Sequence, residues 1–204
     1  MIAREAVLRA REEVAAGAPL GMTNHAVLAI LMAAASTEGF VNEFPGLALG
    51  AYSTLGPESA PASISECARV LVELERAHEQ VTTKYLEASK ALGKPFNTGA
   101  PPFQAFMQLI DLRNAIMHIR PTTEGDRHPG ERVANDLAQR GVALVNTGAG
   151  AFPWFDRVMT QEVALWAHDS ALAMISAFWA MVPAPRFDPL ETHRRFLRNH
   201  PSVR

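Results

Sequence analysis

An imidazole, a guanidinium and a carboxamide lie close together in one apolar stretch of this chain: Asp111-Leu112-Arg113-Asn114-Ala115-Ile116-Met117-His118-Ile119-Arg120-Pro121. Imidazole is the side chain whose charge changes near neutral pH, so it can take or give a proton. A guanidinium stays charged and forks onto an oxyanion. Left unpaired in a helical core, each such group would cost roughly 1–3 kcal/mol, so together they read as an acid/base site or as a satisfied structural cluster. Asn114 and His118 are four apart and share a helix face. Arg113 and His118 are five apart, about 140° around the axis, an angle that arginine's long stem bridges in part. Pro121 disfavours a helical Arg120 and places His118 in the last turn, where the carbonyl end of the helix favours a cation.

The elements that would hold this run follow from periodicity and punctuation. Ile2–Ala16 has helical spacing and stops at Gly17. Thr23 is placed as the N-cap of a second helix that Pro45 ends after Phe44. Gly46–Ala62, rich in Gly, Ser and Pro, reads as a loop or a short helical turn. Ser63-Ile64-Ser65-Glu66 matches a capping box and opens one long helix, Ile64–Leu92, closed by Gly93. After the loop Lys94–Pro102, Pro101-Pro102 starts the motif helix at Phe103. Glu131–Arg140 forms a short helix ended by Gly141, Thr160–Val182 a final core helix, and Pro189–Arg198 a short terminal one. There is no run of alternating strands and no repeat, so the expected class is all-α.

Arg-Asn-x-x-x-His near the end of a long helix resembles the signature of HEPN domains, carried here by Arg113, Asn114 and His118. Glu38-Gly39-Phe40-Val41-Asn42-Glu43 resembles the early-helix segment of one branch. Lys94-Pro95-Phe96 followed by Pro102-Phe103 and the motif helix is similar to that branch as well. The resemblance covers Ala26–Pro121, with an echo in Trp154–Pro183. It implies a HEPN-like helical bundle built on Thr23–Phe44, Ile64–Leu92, Phe103–Ile119 and Thr160–Val182. It also implies a metal-independent endoribonuclease of the kind found in toxin–antitoxin or phage-defence systems. Such a site is composed across a homodimer axis, which doubles the Arg and the His at no further sequence requirement. His118 would take the 2′-hydroxyl proton, Arg113 would neutralise the phosphate, and Asn114 would orient the His or hold a phosphate oxygen. The rival reading is a non-catalytic helical dimer or binding module that docks an antitoxin or another partner protein.

Beyond the motif, Glu38 and Asn42 share a face at i,i+4, with Glu43 beside them. They are either exposed helix-end polarity or groups that orient Arg113 or His118. Arg120, Arg127, His128 and Arg132 follow the motif as candidate RNA contacts or as solvated loop. His25, His78 and His168 are isolated, so neither a metal nor a cofactor is expected. Gly148-Ala149-Gly150 lacks the Gly-Lys-Ser/Thr of a phosphate loop, and no Gly-x-Ser-x-Gly elbow occurs. Trp154, Trp166 and Trp179, like Phe103, Phe106, Met107, Leu109 and Ile110, read as core.

With 204 residues, 48% of them apolar, the chain can bury a full core. We expect one domain over residues 1–182 and a tail over 183–204. The formal charge of −2 sets it apart from general nucleic-acid binders, which are strongly basic. The tail carries five arginines (186, 194, 195, 198 and 204) against Asp188 and Glu191, net +3. It is either solvated or an arm for phosphate. The lone cysteine, Cys67, forms no intramolecular disulfide and suits a reducing cytoplasm. No signal-peptide pattern opens the chain. Val27–Ala35 is too short to span a membrane, and Glu162–Val182 carries His168 and Asp169 at its centre, so both are expected to be core helices.

Overall fold

A computed structural model of the chain describes residues 2–17, 24–53, 60–118, 129–142, 144 and 154–183. Among these residues there are eight helices and no strand: α1 (Ile2–Ala15), α2 (Asn24–Ser53), α3 (Ala62–Arg76), α4 (Val81–Ala91), α5 (Phe103–Met117), α6 (Pro129–Gln139), α7 (Trp154–Val158) and α8 (Gln161–Trp179). The all-α class read from the sequence is the class observed. The chain forms two compact units, residues 1–38 with 97–177 and residues 39–96 with 178–204.

The first unit holds the motif helix. Its core joins Ile30, Ala33 and Ala34 of α2, Leu109, Leu112, Ala115 and Ile116 of α5, Val133, Ala134 and Leu137 of α6, and Val163, Ala167 and Ala171 of α8. Alanine at so many contact positions lets the helix backbones approach closely. A second apolar cluster seats α1 through Ala6 and Val7 on Ala26 and Ala29 of α2 and Ala164 of α8. Trp154 of α7 lies directly over Gly130, where a Cβ would stand 2.4 Å from the indole. The local stops act as expected. Gly17 and Gly141 adopt φ +86 and +80, the left-handed conformation that ends a helix without a Cβ penalty. Thr160 opens α8 by accepting the Val163 N–H on its Oγ1 at 3.1 Å.

The second unit departs from the sequence reading in three places. First, α2 runs through Pro45 to Ser53, so Gly46–Ser53 continues α2 rather than forming a loop or a separate short helical turn. A proline inside a helix costs about 3 kcal/mol. Val41, Phe44 and Ala48, at helical spacing, are all buried. Phe44 packs its ring against Phe40, Phe178 and Trp179 at 6.2, 5.1 and 6.1 Å. Burial of such side chains contributes about 1.5–3 kcal/mol each, and aromatic edges add about 0.5–1.5 kcal/mol, enough to offset the proline. Second, Ile64–Leu92 is not one helix. It breaks at Ala77–Gln80, with His78 at φ 55. The Glu79 N–H reaches back to the Leu74 carbonyl, and the halves fold as a hairpin, α3 on α4. Leu71 and Tyr85 are fourteen apart, about 40° from alignment at 100° per residue, so the apolar stripe is continuous in sequence across a turn it does not reveal. Third, the capping box does not form. α3 begins at Ala62 behind Pro61, without a side-chain cap; Pro61 instead accepts the Ile64 N–H through its carbonyl.

Lys84 is buried in this unit, 4% exposed. Its Nζ donates to Asn42 Oδ1 at 3.0 Å and to the Glu75 carboxylate, tying α4 to α2 and α3. Tyr85 is fully buried against Phe178, and burial raises its hydroxyl well above the ordinary tyrosine range. Burial also pushes the Cys67 thiol up to about 12.

Because α2 continues past Pro45, it holds one stretch, His25–Gly50, long and apolar enough to cross a membrane by length and composition, with mean hydropathy 1.3. The same helix supplies Ala26, Ala29, Ile30, Ala33 and Ala34 to the core of the first unit. Thr23, Pro189–Arg198 and the arginines of the tail lie outside the described residues.

Candidate active site

Pro102 occupies the N-cap of α5, and Phe103, Phe106, Leu109, Leu112, Ala115 and Ile116 form its buried face. Spacing of three and four keeps these residues on one side of the helix. The remaining surface is left to the motif. Asp111 and Asn114 are exposed, Arg113 is half-buried, and Met117 is 54% exposed. The helix ends one residue before His118, which becomes the C-cap at φ −122 and ψ 48. Its backbone N–H still donates to the Asn114 carbonyl at 3.0 Å, so the residue's main chain is held to the last turn. The ring is exposed and, among the described residues, has no hydrogen-bond partner.

Arg113 and Asn114 act as a pair. Nη1 of Arg113 donates to Oδ1 of Asn114 at 2.9 Å. Neighbouring helical positions do not face each other, so the arginine stem curls around the helix to reach the amide. The outcome is an exposed strip of α5 with Asp111, Asn114 and His118 at steps of three and four residues, and a guanidinium drawn onto it. A buried, saturated cluster would look different: its polar groups would be shielded and fully paired.

The other candidates distribute unevenly. Arg132, on α6, does come to the motif helix, where Nη2 meets Oδ2 of Asp111 at 3.2 Å, with side chains 71% and 51% exposed. Such an exposed pair contributes at most about 1 kcal/mol. Glu38 is exposed on the first unit's part of α2 and makes no hydrogen bond or ion pair with Arg113 or His118. Asn42 belongs to the second unit and is taken by Lys84. Arg120, Arg127 and His128 lie outside the described residues. Sequence reasoning missed a role for Asp111, although its place three residues before Asn114 signals a shared face. It also missed Arg157 of α7, whose Nη1 donates to Asn135 Oδ1 of α6 at 3.1 Å. No local pattern links those two positions.

Among the described residues, no group of three His, Cys, Asp or Glu could hold a metal ion. His25 faces Glu13 at 2.8 Å between Nδ1 and Oε1, and His168 faces Asp169 at 3.3 Å. No family model matches this chain, and no curated protein or solved structure matches it either.

Proposed function

We propose that the protein is an endoribonuclease of HEPN type, working in the cytoplasm as a homodimer with a composite site. The observation that carries this reading is the exposed His118 imidazole at the end of α5, free of a hydrogen-bond partner among the described residues and one helical turn after the bonded pair of Arg113 and Asn114. In the mechanism, Nε2 or Nδ1 of His118 takes the proton of a ribose 2′-hydroxyl. The 2′-oxygen attacks the adjacent phosphorus. Arg113 forks onto the non-bridging oxygens as negative charge gathers there. The bond to the 5′-oxygen breaks, and the partner's His118, protonated, supplies that oxygen with a proton. The products are a 2′,3′-cyclic phosphate and a 5′-hydroxyl. DNA, lacking the nucleophile, is not a substrate. Asn114 holds Arg113 in place and presents its amide N–H groups toward a phosphate oxygen.

The test is cleavage of single-stranded RNA in excess EDTA, with end-group analysis of the fragments. Cyclic phosphate termini that depend on His118 support the mechanism. Activity that vanishes on chelation and returns with added Mg²⁺ or Mn²⁺ rejects it. If no RNA is cut and a bound protein partner masks the α5 strip, the non-catalytic binding module takes its place.

A further inference from the structure

The exposed strip of α5 continues onto two other helices of the same unit. Asp111 is bonded to Arg132. Arg132 and Asn135 are one turn apart on the exposed crest of α6, and Asn135 is bonded to Arg157 of α7. α5 packs on α6, and α6 on α7. The bonded pairs thus link the helix that carries Arg113 to Arg132 on α6 and Arg157 on α7.

Among the described residues, each of these three guanidiniums has a single hydrogen-bond partner: a neutral amide for Arg113 and Arg157, and an exposed carboxylate for Arg132. A guanidinium has five N–H donors, so each retains a fork for an incoming oxyanion. Glu131, Asp136 and Asp156 flank the crest. With these carboxylates next to Arg132, Asn135 and Arg157 in sequence, the face is not broadly basic, in keeping with the formal charge of −2.

We infer that Arg132 and Arg157 extend the motif into a phosphate-binding track for single-stranded RNA, leading away from His118 over α6 to α7. Arg132 exchanges Asp111 for a phosphate when the strand arrives. The identity of the ligand rests on the ribonuclease reading above. The track itself rests on the three bonded pairs. A narrow track of forks, unlike a broad basic surface, predicts a shallow salt dependence with a countable number of contacts.

The experiment is fluorescence anisotropy with a labelled 2′-O-methyl oligouridine, which cannot be cleaved, against the full chain over a range of salt concentrations. Arg157→Ala and Arg132→Ala should each weaken binding about tenfold at low salt, the lower end of what a charge-assisted contact contributes. Each should also lower the slope of log affinity against log salt by about 0.7, the value for one phosphate of a single strand. Arg69→Ala, which removes an arginine ion-paired with Glu66 and Glu73 in the other unit, should change neither. Thermal melts accompany each variant. An unchanged slope in both track variants with unaltered melting overturns the inference. So does displacement of the oligouridine by polyglutamate as readily as by RNA, which would assign the arginines to an acidic protein partner. Cleavage by the wild type with no effect of Arg132 or Arg157 on binding would sink the track and leave the ribonuclease standing. Arginine-dependent binding without cleavage of any RNA would do the reverse.

Discussion

Replacing Arg113 or His118 by alanine separates a catalytic motif from a structural one, because the geometry bounds what each change can do to stability. Among the described residues, the Arg113 side chain makes one hydrogen bond, 2.9 Å, to an exposed asparagine on the same helix. Bonds of this kind at the surface contribute under about 1 kcal/mol. The His118 imidazole makes none among the described residues; what ties the residue to α5 is its backbone N–H, which alanine keeps. For a chain of this size 1 kcal/mol moves the melting temperature by roughly 2–4 °C. Arg113→Ala should therefore lower it by no more than about 4 °C, and His118→Ala by less. Cleavage should respond on another scale. Loss of a general acid/base typically lowers the rate by ~10²–10⁴, and one substitution removes both copies in a dimer. Loss of the charge that meets the developing oxyanion lowers it by ~10²–10³. The assay is cleavage of a single-stranded RNA together with a thermal melt on the same preparations. A fall in melting temperature beyond about 6 °C in either variant would mean that the group is buried and partnered in the working protein, as a structural cluster requires. Full cleavage by His118→Ala would refute the acid/base role outright.

Sedimentation at micromolar concentration should give twice the 22.2 kDa chain mass, and a clean monomer would remove the composite site. Gly130→Ala should destabilise the protein. A Cβ 2.4 Å from the Trp154 indole forces displacement worth about 1–3 kcal/mol, more than the helix-propensity gain of roughly 1 kcal/mol, and a raised midpoint in denaturant would contradict that packing. Cys67, its thiol pushed from 9.0 to about 12 by burial, should resist a thiol reagent at mildly alkaline pH until the chain unfolds. Burial of the neutral thiol stabilises fully below pH 9, and that contribution declines as pH rises toward 12, so fast labelling of the native protein would place the side chain at the surface.

Much of the first unit was legible because its signals act within one helical turn. Gly17 and Gly141 stop α1 and α6 through a backbone conformation only glycine adopts freely, and Pro101-Pro102 opens α5 where its missing N–H is no loss. Phe103, Phe106 and Leu109, read as core from the sequence, lie on the buried face of α5, and Asn114 and His118, four apart, were read as sharing a face. Arg113, Asn114 and His118 were named from residue types and spacing alone. What neighbouring residues in sequence cannot report is the balance between a local penalty and distant packing. Pro45 is a strong stop by itself, yet α2 passes through it because Val41 and Phe44 are buried, Phe44 on Phe178 from the far end of the chain. His78 carries no turn signature, yet it adopts a positive φ where the chain turns back to pack α4 on α3. Composition gives Lys84 and Arg157 as ordinary solvated cations. Only the packing of α4 buries the first against Asn42 and Glu75, and only the packing of α7 on α6 sets the second beside Asn135, on the crest that leads to the motif.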